Sequence, residues 1–342
     1  MTGLSGIKPA RGAGRLMVVN HLDTILVTGC PRSGTTAVGD VLASVPGGQY
    51  LYEPMNATTG DRAIKTFFEF SDGSPDENAS FDRFVKRVQS LDLNLRPGVS
   101  HRDVTMMKIV KAFVGGRSRI SLMRCRLSPG LRTLVWKDPF ASFAAVDIAD
   151  RHGIPVLVTF RTIHEVAASF KRLGWGFDLP ALYDRLEAAG RRPIVPRRLL
   201  TQADGAENGA GLWALVYGEL ARASERLPTL IRFVNVDELI RNPARSYQNI
   251  FDWWGRSLQT STRLKIEKVY GSAGAAKKSI PSARAHDRNR DLSKVSTYWR
   301  SILTEREAER VNEISASVGD LNVKLGIEIA TSRPGVVQPV SP

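Results

Sequence analysis

Hydrophobic positions along the chain fall into two alternating rhythms: short continuous apolar runs, and longer stretches of helical period. The run TILVTG at 24–29 is β-branched and ends in glycine, which predicts a buried strand. TTAVGDVLASV then reads as a helix closed by PGG. QYLYEP predicts a second strand, stopped by Pro54. Residues 56–105 are polar and irregular, with one helix expected in FDRFVKRVQSL. TLVWKDP at 133–139 predicts a strand and turn, followed by a helix from Phe140 to about Arg151. IPVLVTF at 154–160 is the clearest buried strand. TIHEVAASFKRL follows as a helix whose Thr162 and Glu165, three apart, form a capping box.

Helices are expected at 178–189 and 211–226, and a strand in LIRFVNVDEL. PARSYQNIFDWWG reads as a helix between Pro243 and Gly255, with Trp253 and Trp254 in the core. TEREAERVNEISASVGDLNVKLG is a final amphipathic helix and its exit. Strands alternating with helices predict an α/β fold of three layers, a mostly parallel central sheet with helices on both faces. Ligands of such sheets bind at the carboxyl ends of the strands. One domain over 21–330 is expected, with loose tails at 1–20 and 331–342.

Composition adds a partner class. Of 342 residues, 48 are Lys or Arg and 34 Asp or Glu, a net charge of +14. Such an excess suits an anionic partner, although for a single basic residue surface solvation is the commoner role. No nucleic-acid motif or interleaving of aromatic and basic residues appears. The only cysteines, Cys30 and Cys125, argue against a disulfide framework, and no C-x-x-C or His/Cys cluster suggests a metal. No apolar run has the length of a signal or spanning segment, so a cytoplasmic location is expected.

The sharpest motif is GCPRSGTT at 29–36. Gly29 and Gly34 keep the spacing of a Walker phosphate loop, but Thr35 and Thr36 stand where lysine and Ser/Thr would be. With a strand before and a helix after, the N–H groups of 32–36 can cradle a phosphate at a helix N-terminus. Loss of the lysine that reaches a β/γ-phosphate argues against ATP or GTP hydrolysis. Arg32 places a planar, permanent charge inside the loop instead, suited to phosphate or sulfate oxygens.

At this point the chain resembles the sulfotransferases that use 3′-phosphoadenosine 5′-phosphosulfate (PAPS). The resemblance is carried by GCPRSGTT, VWKDPF at 135–140, VTFRTIHEVAASF at 158–170, RFVNVDELIRNP at 232–243 and STYWRSIL at 296–303. These occur in the family's order over roughly residues 24 to 327, and the glycan and tyrosylprotein members look nearest. The resemblance implies a P-loop NTPase-like sulfotransferase fold and transfer of the sulfuryl group from PAPS, without metal, leaving adenosine 3′,5′-bisphosphate. It implies a hydroxyl acceptor on a glycan, polysaccharide or glycolipid.

By the same resemblance Arg32, Ser33, Gly34, Thr35 and Thr36 hold the 5′-phosphosulfate, while Arg161 and Ser169, eight residues apart, hold the 3′-phosphate. The family's Asp-Pro after that arginine is replaced here by Thr162-Ile163, and Thr162 can cap the helix in its place. Lys137 matches a lysine that reaches the sulfuryl group, and Asp138 reads as making a turn with Pro139.

A basic, hydroxyl-bearing loop ahead of Trp299 would close over the nucleotide. Ser293 and Ser296 are its expected contacts, with Ser279, Arg284 and Arg288 as alternatives in an ambiguous register. Glu53 stands where glycan and tyrosyl members carry their base; His101 and His164 are rivals, because the cytosolic small-molecule members use histidine. Residues 56–130 and 174–210 are expected to shape the acceptor side. Two other readings remain: a nucleotide or polyanion binder that has lost catalysis, and a P-loop kinase. The missing lysine and the lack of an apolar run ending in Asp disfavour the kinase.

Overall fold

The structure is a computed structural model that describes residues 22–97, 116–271 and 292–326. Strands β1 (Asp23–Thr28), β2 (Gly48–Tyr52), β3 (Thr133–Lys137), β4 (Val156–Phe160) and β5 (Ile231–Asn235) form one sheet in the order β2-β3-β1-β4-β5. Every pairing is parallel. The helices are α1 (Thr35–Leu42), α2 (Pro75–Gln89), α3 (Arg117–Arg126), α4 (Ala145–His152), α5 (Ile163–Leu173), α6 (Leu179–Ala188), α7 (Ala206–Arg226), α8 (Val236–Arg241), α9 (Pro243–Trp253), α10 (Thr260–Tyr270), α11 (Glu305–Ser317) and α12 (Gly319–Lys324).

The two-residue period of the strands sorts the core into two layers. Ile25, Val27, Val135 and Leu157 pack with Val38 and Val41 of α1, Tyr247 and Phe251 of α9, and Ile266 of α10. Their neighbours Leu26, Leu134, Trp136, Val156 and Val158 pack on the opposite face with Phe170 of α5, Trp213 and Tyr217 of α7, and Ile314 of α11. With both faces covered, β3 and β4 are buried along their whole length, which is why they read as unbroken apolar runs. The three-layer α/β architecture expected from the alternation of runs is the one observed.

Several boundaries differ from expectation for local reasons. α2 begins at Pro75, six residues ahead of the apolar stripe, because the Ser74 hydroxyl accepts the Glu77 N–H and Pro75 fits the first turn. The helix expected from Phe140 is preceded by a separate 3₁₀ turn, Pro139–Ala141, and starts at Ala145. β5 stops at Asn235 rather than running to 239: the Asn235 side chain accepts the Asp237 N–H at 2.9 Å and opens α8. α3, arginine-rich and without an apolar stripe, gave no periodic signal. His101, Ser279, Arg284, Arg288 and both expected tails lie outside the described residues.

Candidate active site

The loop that follows β1 depends on two glycines. Gly29 has φ 139°, and a Cβ there would lie 2.2 Å from the Thr159 carbonyl oxygen. Gly34, at φ 87°, is the N-cap of α1, and a Cβ would press on Val236 at 3.1 Å. No other residue type fits the first position without displacing β4. Between them Arg32 is left-handed as well, with φ 80°. The loop is tied to β4 from inside: the Ser33 and Thr159 hydroxyls are 3.1 Å apart, and the Tyr217 hydroxyl accepts the Cys30 N–H at 3.1 Å while donating to the Thr159 carbonyl at 2.8 Å. α1 has no side-chain cap and no acidic residue in its first turn, so the partial positive charge of its N-terminus is not offset locally. Thr35 is buried at that end and Thr36 is half-buried beside it.

Arg32 Nε donates to the Ser169 hydroxyl at 2.9 Å, and its guanidinium lies 5.8 Å from the centre of the Trp175 ring. The structure thus joins a residue expected at the 5′ end of the nucleotide to one expected at the 3′ end. Arg161 leaves the end of β4 and forms an ion pair with Glu165 one turn later on α5. Glu165 also completes the capping box, accepting the Thr162 N–H at 3.0 Å. Burial raises the Glu165 carboxyl above its ordinary value, the Arg161 charge opposes this, and Asp237 adds to the rise. Arg161 Nε is buried and has no hydrogen-bond partner. An orphaned charged donor is costly, and an anion bound there would satisfy it.

On the other side of β1, the ends of β2 and β3 carry a second charged pair. The register sets Tyr52 opposite Lys137, and the ladder continues one step as the Glu53 N–H donates to the Lys137 carbonyl at 2.8 Å. This brings the Glu53 carboxylate onto the Lys137 ammonium in a direct ion pair. Glu53 is 8% and Lys137 2% exposed. Asn56 Nδ2 donates to the second Glu53 oxygen at 2.9 Å, and the ammonium also lies 4.3 Å from the centre of the Tyr52 ring. Burial pushes the Glu53 carboxyl up, but Lys137 and Asn56 outweigh it and hold it below the usual range, so it is ionised at neutral pH. Glu53 has φ 47°; with Arg32 it is one of four non-glycine residues at positive φ among the described residues. Such strain persists only where neighbours enforce it.

Asp138 makes the expected turn, its carboxylate accepting the Phe140 N–H at 3.0 Å. Sequence alone gave no sign of its second bond, from the Met55 N–H at 2.6 Å. Tyr217 was likewise unforeseen, since a tyrosine inside α7 looks like any core aromatic. His164 is buried, its ring 4.5 Å from that of Trp299 and its Nε2 2.8 Å from the Asn312 side-chain oxygen. Burial lowers its pKa and keeps it neutral. Ser293 and Ser296 fall in a 3₁₀ segment, Leu292–Ser301, whose first side chains are outside the described residues. Trp254 is buried as expected, while Trp253 is only partly covered. Among the described residues, no group of three or more His, Cys, Asp or Glu could hold a metal ion, and no helix is long and apolar enough to cross a membrane.

No protein-family model matches this chain, and no curated protein does. Among solved structures it is similar to the sulfotransferase domain from the curacin biosynthetic pathway, at 14% identity and a TM-score of 0.47, covering 90% of this chain and 99% of that one. It is similar to the sulfotransferase domain of the Synechococcus PCC 7002 olefin synthase, at 15% identity and a TM-score of 0.44, over 91% of this chain and 97% of that one. The mouse sulfotransferase SULT7A1 in complex with PAP is a third, at 13% identity and a TM-score of 0.43, over 89% and 87% of the two chains.

Proposed function

We propose that this protein transfers the sulfuryl group of PAPS to a hydroxyl, with a glycan, polysaccharide or glycolipid as acceptor. One observation carries the reading. Four strands adjacent in the sheet, β2-β3-β1-β4, end in turn with Glu53, Lys137, the Arg32 loop and Arg161. Read across the sheet, this is a base, a cation, a phosphate cradle and a second anion site. The order matches the parts of the reaction: acceptor, sulfuryl group, 5′-phosphate, 3′-phosphate. The loop without its lysine and the orphaned Arg161 Nε both favour a nucleotide with a separate second phosphate over ATP.

In this reading the acceptor oxygen attacks sulfur, the bond from sulfur to the bridging phosphate oxygen breaks, and the acceptor proton passes to Glu53. Negative charge gathers on the bridging oxygen and 5′-phosphate, where Arg32 and the amides at the start of α1 are already oriented. Donors fixed before the reaction stabilise such charge without reorganisation. Lys137 serves both sides. While paired with Glu53 it keeps that carboxylate ionised. As its ammonium turns toward the sulfuryl oxygens the carboxylate becomes more basic, when a proton must be taken.

Incubation with ³⁵S-labelled PAPS and a panel of glycans and glycolipids tests the activity. Label on a hydroxyl of the acceptor is expected. Transfer of the γ-phosphate from ATP to the same panel, with none from PAPS, would replace this reading by a kinase.

A further inference from the structure

We propose that Asp138 is the positioning residue of the acceptor end: its ionised carboxylate fixes the turn that carries Glu53, and sulfuryl transfer requires it. The inference rests on the transfer reading above. Asp138 is 0% exposed and joins three segments. Its own N–H donates to the Val27 carbonyl at 2.9 Å, and its carbonyl accepts the Thr28 hydroxyl at 2.7 Å, where β1 enters the phosphate loop. Its carboxylate accepts the Phe140 N–H at 3.0 Å and, across the strand gap, the Met55 N–H at 2.6 Å.

Met55 lies two residues beyond Glu53. Glu53 begins the turn, with its carbonyl accepting the Asn56 N–H at 3.2 Å and its φ at 47°. Pinning Met55 therefore fixes where the strained turn ends, and so where the Glu53 carboxylate meets Lys137. One residue holds the phosphate loop and the base in a common frame, although it need touch neither nucleotide nor acceptor. The charged groups acting on it are Glu53 at the end of β2 and Lys137 at the end of β3. β1 faces it with the neutral Thr28 hydroxyl, and Trp136 with its indole N–H at 3.5 Å. Burial, with the nearby Glu53 charge, raises the Asp138 carboxyl to about 7. Its backbone anchors thus weaken by protonation in a range where Glu53 itself stays ionised.

The Asp138→Asn variant keeps the shape but offers one acceptor atom to two N–H donors. Its kcat should fall about ten- to a hundredfold, the scale of a small misplacement of a reacting group. The KM for PAPS should stay within about threefold, because the loss is confined to the chemical step. In the parent, kcat should fall through an acid limb centred near 7, and in the variant that limb should be gone. The amide resonances of Met55 and Phe140, labelled with ¹⁵N in the parent, should titrate together with the same midpoint whether or not acceptor is present. This reading survives even if the variant does not fold. Unchanged kcat in Asp138→Asn, a parent rate flat from about pH 8 to about pH 5, or amides that do not titrate overturns the inference. Titrating amides in a parent that transfers no sulfuryl group would leave the hub standing and sink the transfer reading instead.

Discussion

The two ends of the site solve the burial of charge in opposite ways. At the end proposed for the acceptor, Glu53, Lys137 and Asp138 answer one another: an ion pair, an amide on the free oxygen of Glu53, and backbone donors on both oxygens of Asp138. At the end proposed for the nucleotide, Arg161 is only half answered, by Glu165, and its Nε is left over. A closed network is rigid and complete without substrate. An open one is held ready at a cost that an incoming anion removes. If the first end serves geometry and the second affinity, substitutions at the two ends should separate accordingly.

The largest effect is expected at the closed end. Glu53→Gln removes the basic lone pair while keeping size, so turnover should fall about 10²- to 10⁴-fold, the usual worth of a general base. Nucleotide affinity should hardly change. The same variant leaves Lys137 buried without its anion, and stability should drop by about 3–5 kcal/mol in urea unfolding, as when one partner of a buried pair is removed. If turnover survives, the base lies elsewhere and the comparison between the ends collapses.

Acid should reveal the closed end by a split between activity and stability. The Asp138 carboxyl is raised from 3.8 to about 7 in the folded protein, so the folded state binds the extra proton between those values. Its contribution to stability is therefore fully present below about 4 and is lost as pH rises through about 7. Glu53 is shifted the other way, so its contribution is present above 4.5 and is lost as pH falls through its lowered folded value. Between about pH 7 and pH 5 the rate should fall while the contribution of Asp138 to stability grows, on the order of a few kcal/mol at most. Parallel rate and melting measurements would show it. A rate loss that tracks unfolding would mean that acid simply disorders the site.

At the open end the effects are smaller and fall on binding. Arg161→Ala should narrow the gap in affinity between adenosine 3′,5′-bisphosphate and AMP by about 1.5–3 kcal/mol, the worth of a charged hydrogen bond. Ser169→Ala should cost about 0.5–1.5 kcal/mol through the lost support of Arg32. Calorimetry reads both. His164→Ala should leave turnover within several-fold of the parent, since the ring is engaged with Trp299 and Asn312. A dead His164→Ala enzyme with intact melting would move the base to the histidine.

The open end was the more legible of the two in the sequence. Gly29 and Gly34 show a loop because glycine takes up positive φ without steric cost, and Thr162 and Glu165 show a helix start because a cap has a fixed spacing. Both signals are local. Glu53 and Lys137 were each singled out, yet their pairing spans 84 residues and depends on the β2–β3 register, which no local pattern encodes. The joining of Arg32 to Ser169, across 137 residues, was hidden for the same reason. Asp138 looked like a turn residue because its bond from Phe140 is local; its bonds to Met55, Val27 and Thr28 cross to other segments. Tyr217 carried no signal at all, since its hydroxyl matters only where α7 passes the phosphate loop.

In the proposed reading the site takes a nucleotide with two separate phosphates, one in the Arg32 loop and one at Arg161. Titration calorimetry of the parent protein with adenosine 3′,5′-bisphosphate and with AMP decides it. Tight binding of the bisphosphate and much weaker binding of AMP, without added metal, is the predicted result. Equal affinity for the two nucleotides, or binding that appears only with magnesium, would contradict it.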